Sequence, residues 1–172
     1  MALNPVQDYE NRLIAVKGSV PGYDLDFNAS LAADEEFAEG SLVSLNSDGE
    51  IVAGLASAGD YVAMPMFAIQ GTDSFDVQGD EGNIEGGGVT ALVATGGFEV
   101  YTTAYDDAVS YSINTFLTAA TGDDAGLVTT AAANYNDDTI VGQVSQEPRE
   151  DDQYGQNILH FWTMFIPANK VT

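Results

Sequence analysis

The stretch GSLVSLNSDGEIVAG, residues 40 to 54, constrains the fold of this chain more than any other. Its two apolar runs, LVSL and EIVAG, are too short for helices and flank Asn46-Ser47-Asp48-Gly49. Glycine takes the positive φ that a tight reversal requires, so the stretch reads as a β-hairpin. Short apolar runs punctuated by glycine turns then continue to the end of the chain.

YDLDFN at 23 to 28 alternates Tyr23, Leu25 and Phe27 against Asp24, Asp26 and Asn28, which gives a strand with one wet face. SLAADEEFAEG at 30 to 40 fits either a short helix opened by Ser30 and stopped by Gly40 or a solvated loop. VAMPMFAIQG at 62 to 71 reads as a strand that Pro65 should push to a sheet edge or bulge. Residues 72 to 89, TDSFDVQGDEGNIEGGGV, are rich in glycine and acids and form a long surface loop. VTALVAT and GFEVYTTAY flank Gly96-Gly97 as a second hairpin, and YSINTFL at 111 to 117 alternates again.

ATGDDAGLVTTA at 120 to 131 resembles the opening stretch in miniature, and TIVGQVSQ at 139 to 146 follows it as MFAIQG follows the first. Gly49 and Gly126 stand 77 residues apart. Two copies of one small unit would produce this echo, as would ordinary reuse of turn chemistry in a β protein. In the last run, NILHFWTMFIPA at 157 to 168, Leu159, Phe161 and Phe165 face one way. Ile158, Trp162, Met164 and Ile166 face the other. A strand apolar on both faces is either central with both sides covered or partly buried in an interface between subunits, which makes Trp162, Met164 and Ile166 candidate interface residues.

The expected architecture is therefore all-β, a single-domain β-sandwich or barrel over residues 13 to 172, preceded by an irregular arm of residues 1 to 12. The length of 172 residues suits one domain, and 45% hydrophobic residues supply a core.

Charge narrows the partners. The chain has 27 Asp plus Glu against 4 Lys plus Arg, a net charge of -23. Such a charge repels polyphosphates, so nucleic acid is not an expected partner. The cations are Arg12, Lys17, Arg149 and Lys170, toward the two ends. No apolar run approaches the ~20 residues of a membrane helix and the start has no signal-like pattern, so no membrane partner and synthesis in the cytoplasm are expected.

Residues suited to chemistry are scarce. There is no cysteine, and the one histidine, His160, sits among apolar neighbours, where it reads as a core residue rather than a base or ligand. No Gly-x-Ser-x-Gly elbow is present, and IEGGGV lacks the lysine or helix that would make it a phosphate cradle. The pairs Asp24/Asp26, Glu35/Glu36, Asp106/Asp107, Asp123/Asp124, Asp137/Asp138 and Asp151/Asp152 read as solvated turns. A glycosidase would need two of them opposed across a sugar cleft. NYNDD at 134 to 138 and TGDDAG offer oxygens for calcium without matching the EF-hand loop. Tyr101, Tyr105 and Tyr111 are the best glycan platforms, with core packing as the alternative. The expectation is a non-enzymatic protein without a cofactor.

The chain resembles the capsid decoration, or cement, proteins of tailed bacteriophages, small β-rich proteins bound to the outside of the mature head. The resemblance rests on EFAEGSLVSLNSDGEIVAG, its echo SINTFLTAATGDDAGLVTTA, and IVGQVSQEP leading to the terminal LHFWTMFIP. It implies a β-tulip type of fold, a virion location on the outer capsid surface, the major capsid protein as partner, and a homotrimer. In such proteins an irregular N-terminal arm adds a strand to a capsid subunit, and residues 1 to 12 match that role. Leu3, Val6, Tyr9 and Leu13 would be its apolar anchors and Arg12 its cation. Alternatives are another phage structural module of the tail or head completion, a glycan- or calcium-binding module and, last, a carboxylate glycoside hydrolase.

Overall fold

The computed structural model describes residues 14–17, 32, 35, 37–38, 40–58, 61–68, 91–93, 99–132, 138–150 and 155–168. The arm at 1–12, the strand expected at 23–28 and the glycine-rich loop at 72–89 lie outside the described residues.

The first hairpin forms as its sequence requires. Strand β2 (Leu42–Leu45) pairs antiparallel with β3 (Ile51–Ala53). In the turn, the Asn46 Oδ1 accepts hydrogen bonds from the backbone N–H of Asp48 and of Glu50, each at 2.9 Å, and Gly49 takes φ 80°. The asparagine side chain thereby closes the loop, and glycine supplies the left-handed step that other residues resist.

The remaining strands are β1 (Ile14–Lys17), β4 (Ser57–Ala58), β5 (Tyr61–Val62), β6 (Met66–Ala68), β7 (Ala91–Val93), β8 (Glu99–Thr102), β9 (Phe116–Ala119), β10 (Val128–Thr130), β11 (Ile140–Glu150) and β12 (Asn157–Ile166). They form a six-stranded sheet in the order β1-β8-β12-β11-β9-β10, a four-stranded sheet β3-β2-β6-β7 and the small pair β4-β5. Among the described residues every pairing between these strands is antiparallel and no sheet closes on itself, so they form an open all-β sandwich-like arrangement.

The two larger sheets share one core. Leu42 and Phe67 of the small sheet join Val100, Leu117, Val128, Val144, Leu159 and Phe161 of the large one, and the Phe67 and Phe161 rings lie 5.5 Å apart. Face-to-face burial of this kind is the main stabilising term for such a layer pair. The other face of the small sheet carries a second cluster of Phe37, Val43, Ile51, Met66 and Ala68. Gly142 is required where Phe161 crosses β11, because a Cβ there would stand 2.5 Å from the Phe161 ring and 3.0 Å from the Trp162 carbonyl oxygen.

The echo in the sequence is a structural repeat. The order β3-β2-β6-β7 is matched strand for strand by β10-β9-β11-β12. Register agrees as well. Val43 pairs Ala53 and Met66 as Leu117 pairs Thr130 and Gly142, and Met66 pairs Val93 as Gly142 pairs Thr163. Even the irregular hydrogen bonds recur. Gly40 N–H donates to Ala68 O as Asn114 N–H donates to Val144 O; Asn46 N–H donates to Glu50 O as Ala120 N–H donates to Leu127 O. Ala32 N–H caps Ile51 O at the edge of one sheet as Asp106 N–H caps Val128 O at the edge of the other. Gly40 and Asn114 share positive φ values of 84° and 72°, and so do Gly49 and Gly126 at 80° and 96°. The 77-residue spacing between Gly49 and Gly126 thus pairs true counterparts. Ordinary reuse of turn chemistry would not reproduce register over four strands.

Three local expectations are corrected, and between the helix and the loop open for 30–40 the described residues favour the loop. Pro65 precedes β6, and β6 is an inner strand between β2 and β7 rather than an edge, because the proline sits just before the ladder begins. The runs around Gly96-Gly97 are not a hairpin: β7 pairs with β6 in the small sheet and β8 with β12 and β1 in the large one. Residues 111–115 are turn rather than strand, since Asn114 takes a left-handed conformation and pairing starts only at Phe116. Between 30 and 40, the described residues carry no helix; Glu35 Oε2 instead accepts the Ala53 N–H at 2.9 Å, strapping the segment to β3.

Candidate interaction surface

Strand β12 runs between β8 and β11: Leu159–Trp162 stand in register with β8, and the strand pairs with β11 along its length as far as Ile166. Leu159 and Phe161 point into the shared core. On the opposite face His160 is buried, Trp162 is 39% exposed, Met164 is half-buried and Ile166 is 42% exposed. The strand is central, and one half of its second face is open.

Cross-strand register places a row on that face. Glu99 of β8, Trp162 of β12, Gln143 of β11 and Phe116 of β9 stand side by side, with the backbone of Lys17 in β1 next beyond Glu99. Gln143 Nε2 donates to the Asn114 carbonyl oxygen at 3.1 Å. Buried Glu99 accepts a hydrogen bond from Ser145 Oγ at 2.6 Å and one from Gln146 Nε2 at 3.4 Å. His160 packs its ring against Tyr101 at 5.3 Å. Fixed polar groups therefore surround an exposed tryptophan, an arrangement suited to protein contact, where a rigid aromatic supplies area at little entropic cost. The Glu99 cluster escaped sequence reading, although an acid inside FEVYTT was a signal for it.

The remaining candidates are distributed as follows. Leu3, Val6, Tyr9, Arg12 and Leu13 lie outside the described residues. Tyr105 and Tyr111 are not glycan platforms: both are buried, edge to face at 5.5 Å, and Tyr111 Oη donates to the Asp106 and Val128 carbonyl oxygens at 2.7 and 3.1 Å. Burial, with the Asp106 charge second, raises the Tyr111 phenol well above its ordinary range. Burial also raises that of Tyr105, helped by Asp107. Two of the paired acids hold local structure: Asp106 accepts the Ala108 N–H and the Thr129 hydroxyl, and Asp138 accepts the Ala132 N–H. Asp123 and Asp124 are exposed in a 3-10 turn, Gly122–Asp124. Among the described residues no three acids or histidines gather closely enough to hold a metal ion.

No protein family, curated protein or solved structure matches this chain.

Proposed function

We propose that the protein is a non-enzymatic virion component that coats the outer surface of a tailed-phage head and stabilises the capsid lattice. The reading places it on the major capsid protein as a homotrimer. The observation that carries it is the open half of β12, where Trp162 and Ile166 stand exposed on a strand of the large sheet in a chain with net charge -23. The charge keeps free copies apart at high concentration, and the apolar strip supplies a contact. Residues 1 to 12, with Leu3, Val6, Tyr9, Arg12 and Leu13, serve as the capsid-binding arm, while Trp162, Met164 and Ile166 serve the contact between copies. A protein that binds only the assembled lattice shifts the balance toward assembly by mass action, so many modest contacts sum to a strong clamp.

The test adds purified protein to undecorated heads, pellets them and measures occupancy and survival on heating. Saturable binding with raised heat resistance is the expected result. Absence of binding to any head sinks the proposal.

A further inference from the structure

Charge is spread unevenly along this chain. It carries 27 acids and 4 Lys plus Arg, yet residues 108–122, 139–146 and 155–169 contain none of them. Those runs hold β9, the greater part of β11 and all of β12. Strand positions that face a core lack charge as a matter of course, but the wet face of an antiparallel sheet ordinarily carries it. Here the outward positions Gln143, Trp162, Met164 and Ile166 are all uncharged in a chain of net charge -23.

The neutral face extends to the turn before β9. Residues 112–115 close with Thr115 N–H donating to Ser112 O at 3.0 Å, and Asn114, third in the turn, takes φ 72°. Three more hydrogen bonds fix this turn against β11. Asn114 N–H donates to Val144 O and Val144 N–H to Thr115 O, each at 2.9 Å, and Gln143 Nε2 donates to Asn114 O at 3.1 Å. Gln143 stands beside Trp162 in register, so its reach to Asn114 O puts the turn on the Trp162 side of the sheet. Turn chemistry does not account for the residue at the tip. The second position of a turn with a left-handed third residue favours proline, and turns in general favour short polar side chains. That position holds Ile113, 57% exposed and the most exposed large hydrophobic among the described residues. The turn and β12 flank β11 on opposite sides, two strand spacings or about 10 Å apart.

We infer that the turn at 112–115 is the other half of the contact between copies: Ile113 of one copy packs on the Trp162 to Ile166 strip of the next. The inference rests on the self-association in the reading above and supplies the surface that the strip meets. Charge selects a second copy as the occupant, because chains of net charge -23 repel wherever acids face acids, and a face without acids is where two of them can meet. With the turn on one flank and the strip on the other, each copy offers its turn to one neighbour and its strip to the other, which closes three copies into a ring. Repulsion over the rest of the surface opposes association, so the oligomer strengthens with salt as screening shortens from about 10 Å at 0.1 M to about 3 Å at 1 M.

In sedimentation velocity at 1 M salt the native protein should be oligomeric. Ile113→Asp should be monomeric with an unchanged melting temperature, because the turn is held by backbone groups and Gln143 while the Ile113 side chain stands in water. Met64→Asp is the control. Met64 is 48% exposed but stands just before β6 of the small sheet, so its substitution should leave the oligomer intact. The chain has no cysteine, which lets the pairing be read directly. Ile113→Cys chains mixed with Ile166→Cys chains and treated with a short bis-maleimide should give a covalent dimer about fivefold above either variant alone, as a turn-to-strip contact requires. A native monomer, an Ile113→Asp protein still oligomeric, loss of the oligomer in Met64→Asp, or a mixed cross-link no greater than the single-variant background overturns the inference. A native monomer that nonetheless saturates heads gives this face to the capsid, which sinks the inference and leaves the capsid reading standing. An oligomer that depends on Ile113 and binds no head does the reverse.

Discussion

At the scale of single residues, two sites decide stability through space and burial. Gly142→Ala forces a methyl group against the Phe161 ring and the Trp162 carbonyl oxygen, both closer than any real Cβ contact allows or nearly so. Because Phe161 is wholly buried in the shared core and cannot swing away, the expected loss is about 1–3 kcal/mol in urea unfolding. Tyr111 acts through its hydroxyl, which bridges two backbone carbonyls. Tyr111→Phe should cost about 1–2 kcal/mol. Its phenol ionises at higher pH in the folded chain than in the unfolded one. The stabilisation is therefore complete below the unfolded tyrosine range near pH 10 and is lost as pH rises above it. Chemical unfolding at pH 9 and pH 11 should show a drop in native stability that is smaller in Tyr111→Phe. An equal drop in both proteins would remove Tyr111 from the account.

Among the elements, the repeat makes sharper demands than either copy shows alone. Gly40 and Asn114 fill one structural position, each with positive φ and each donating to the third strand of its unit. Asn114→Gly should leave stability within about 0.5 kcal/mol or raise it, whereas Asn114→Ala should cost about 1 kcal/mol for the left-handed backbone; thermal melts of the two variants check this. The same comparison explains what could be read from sequence. Asp48-Gly49 with its flanking runs was legible because turn chemistry is local, and the alternation in NILHFWTMFIP predicted the split faces of β12 because strand period is local too. The separation of β7 from β8 was not legible, since Gly96-Gly97 is compatible with a hairpin and only packing between sheets decides. Nor was the inner place of β6, because Pro65 one residue inside the ladder would have forced an edge and one residue outside it forces nothing. The exposed Trp162 and half-buried Met164 were visible as a two-sided apolar strand, while the buried Glu99 and Ser145 pair depends on register between strands 46 residues apart.

For the whole molecule, the roles proposed for the open half of β12 and for residues 1 to 12 predict separable defects. Trp162 keeps 39% of its surface exposed, so Trp162→Ala should cost the isolated fold only about 1 kcal/mol, against about 3–5 kcal/mol for a fully buried aromatic. Its larger effect is expected on the proposed contacts between copies, because the side chain sits on a strand paired on both sides at that position and loses little entropy when covered. Removal of residues 2 to 12 should act the other way, sparing melting temperature and self-association and abolishing attachment to heads. The reason is avidity: if copies associate, each assembly presents several arms, and a modest strand-addition contact per arm is multiplied only while the copies stay together. Trp162→Ala should therefore bind heads at low occupancy and release on dilution, and the arm-deleted protein should not bind at all. Occupancy measured by pelleting, alongside sedimentation velocity and a thermal melt of each variant, separates the cases. Arm-deleted protein that still saturates and protects heads would remove the arm from the mechanism, and Trp162→Ala protein that unfolds far below the native temperature would return Trp162 to the core.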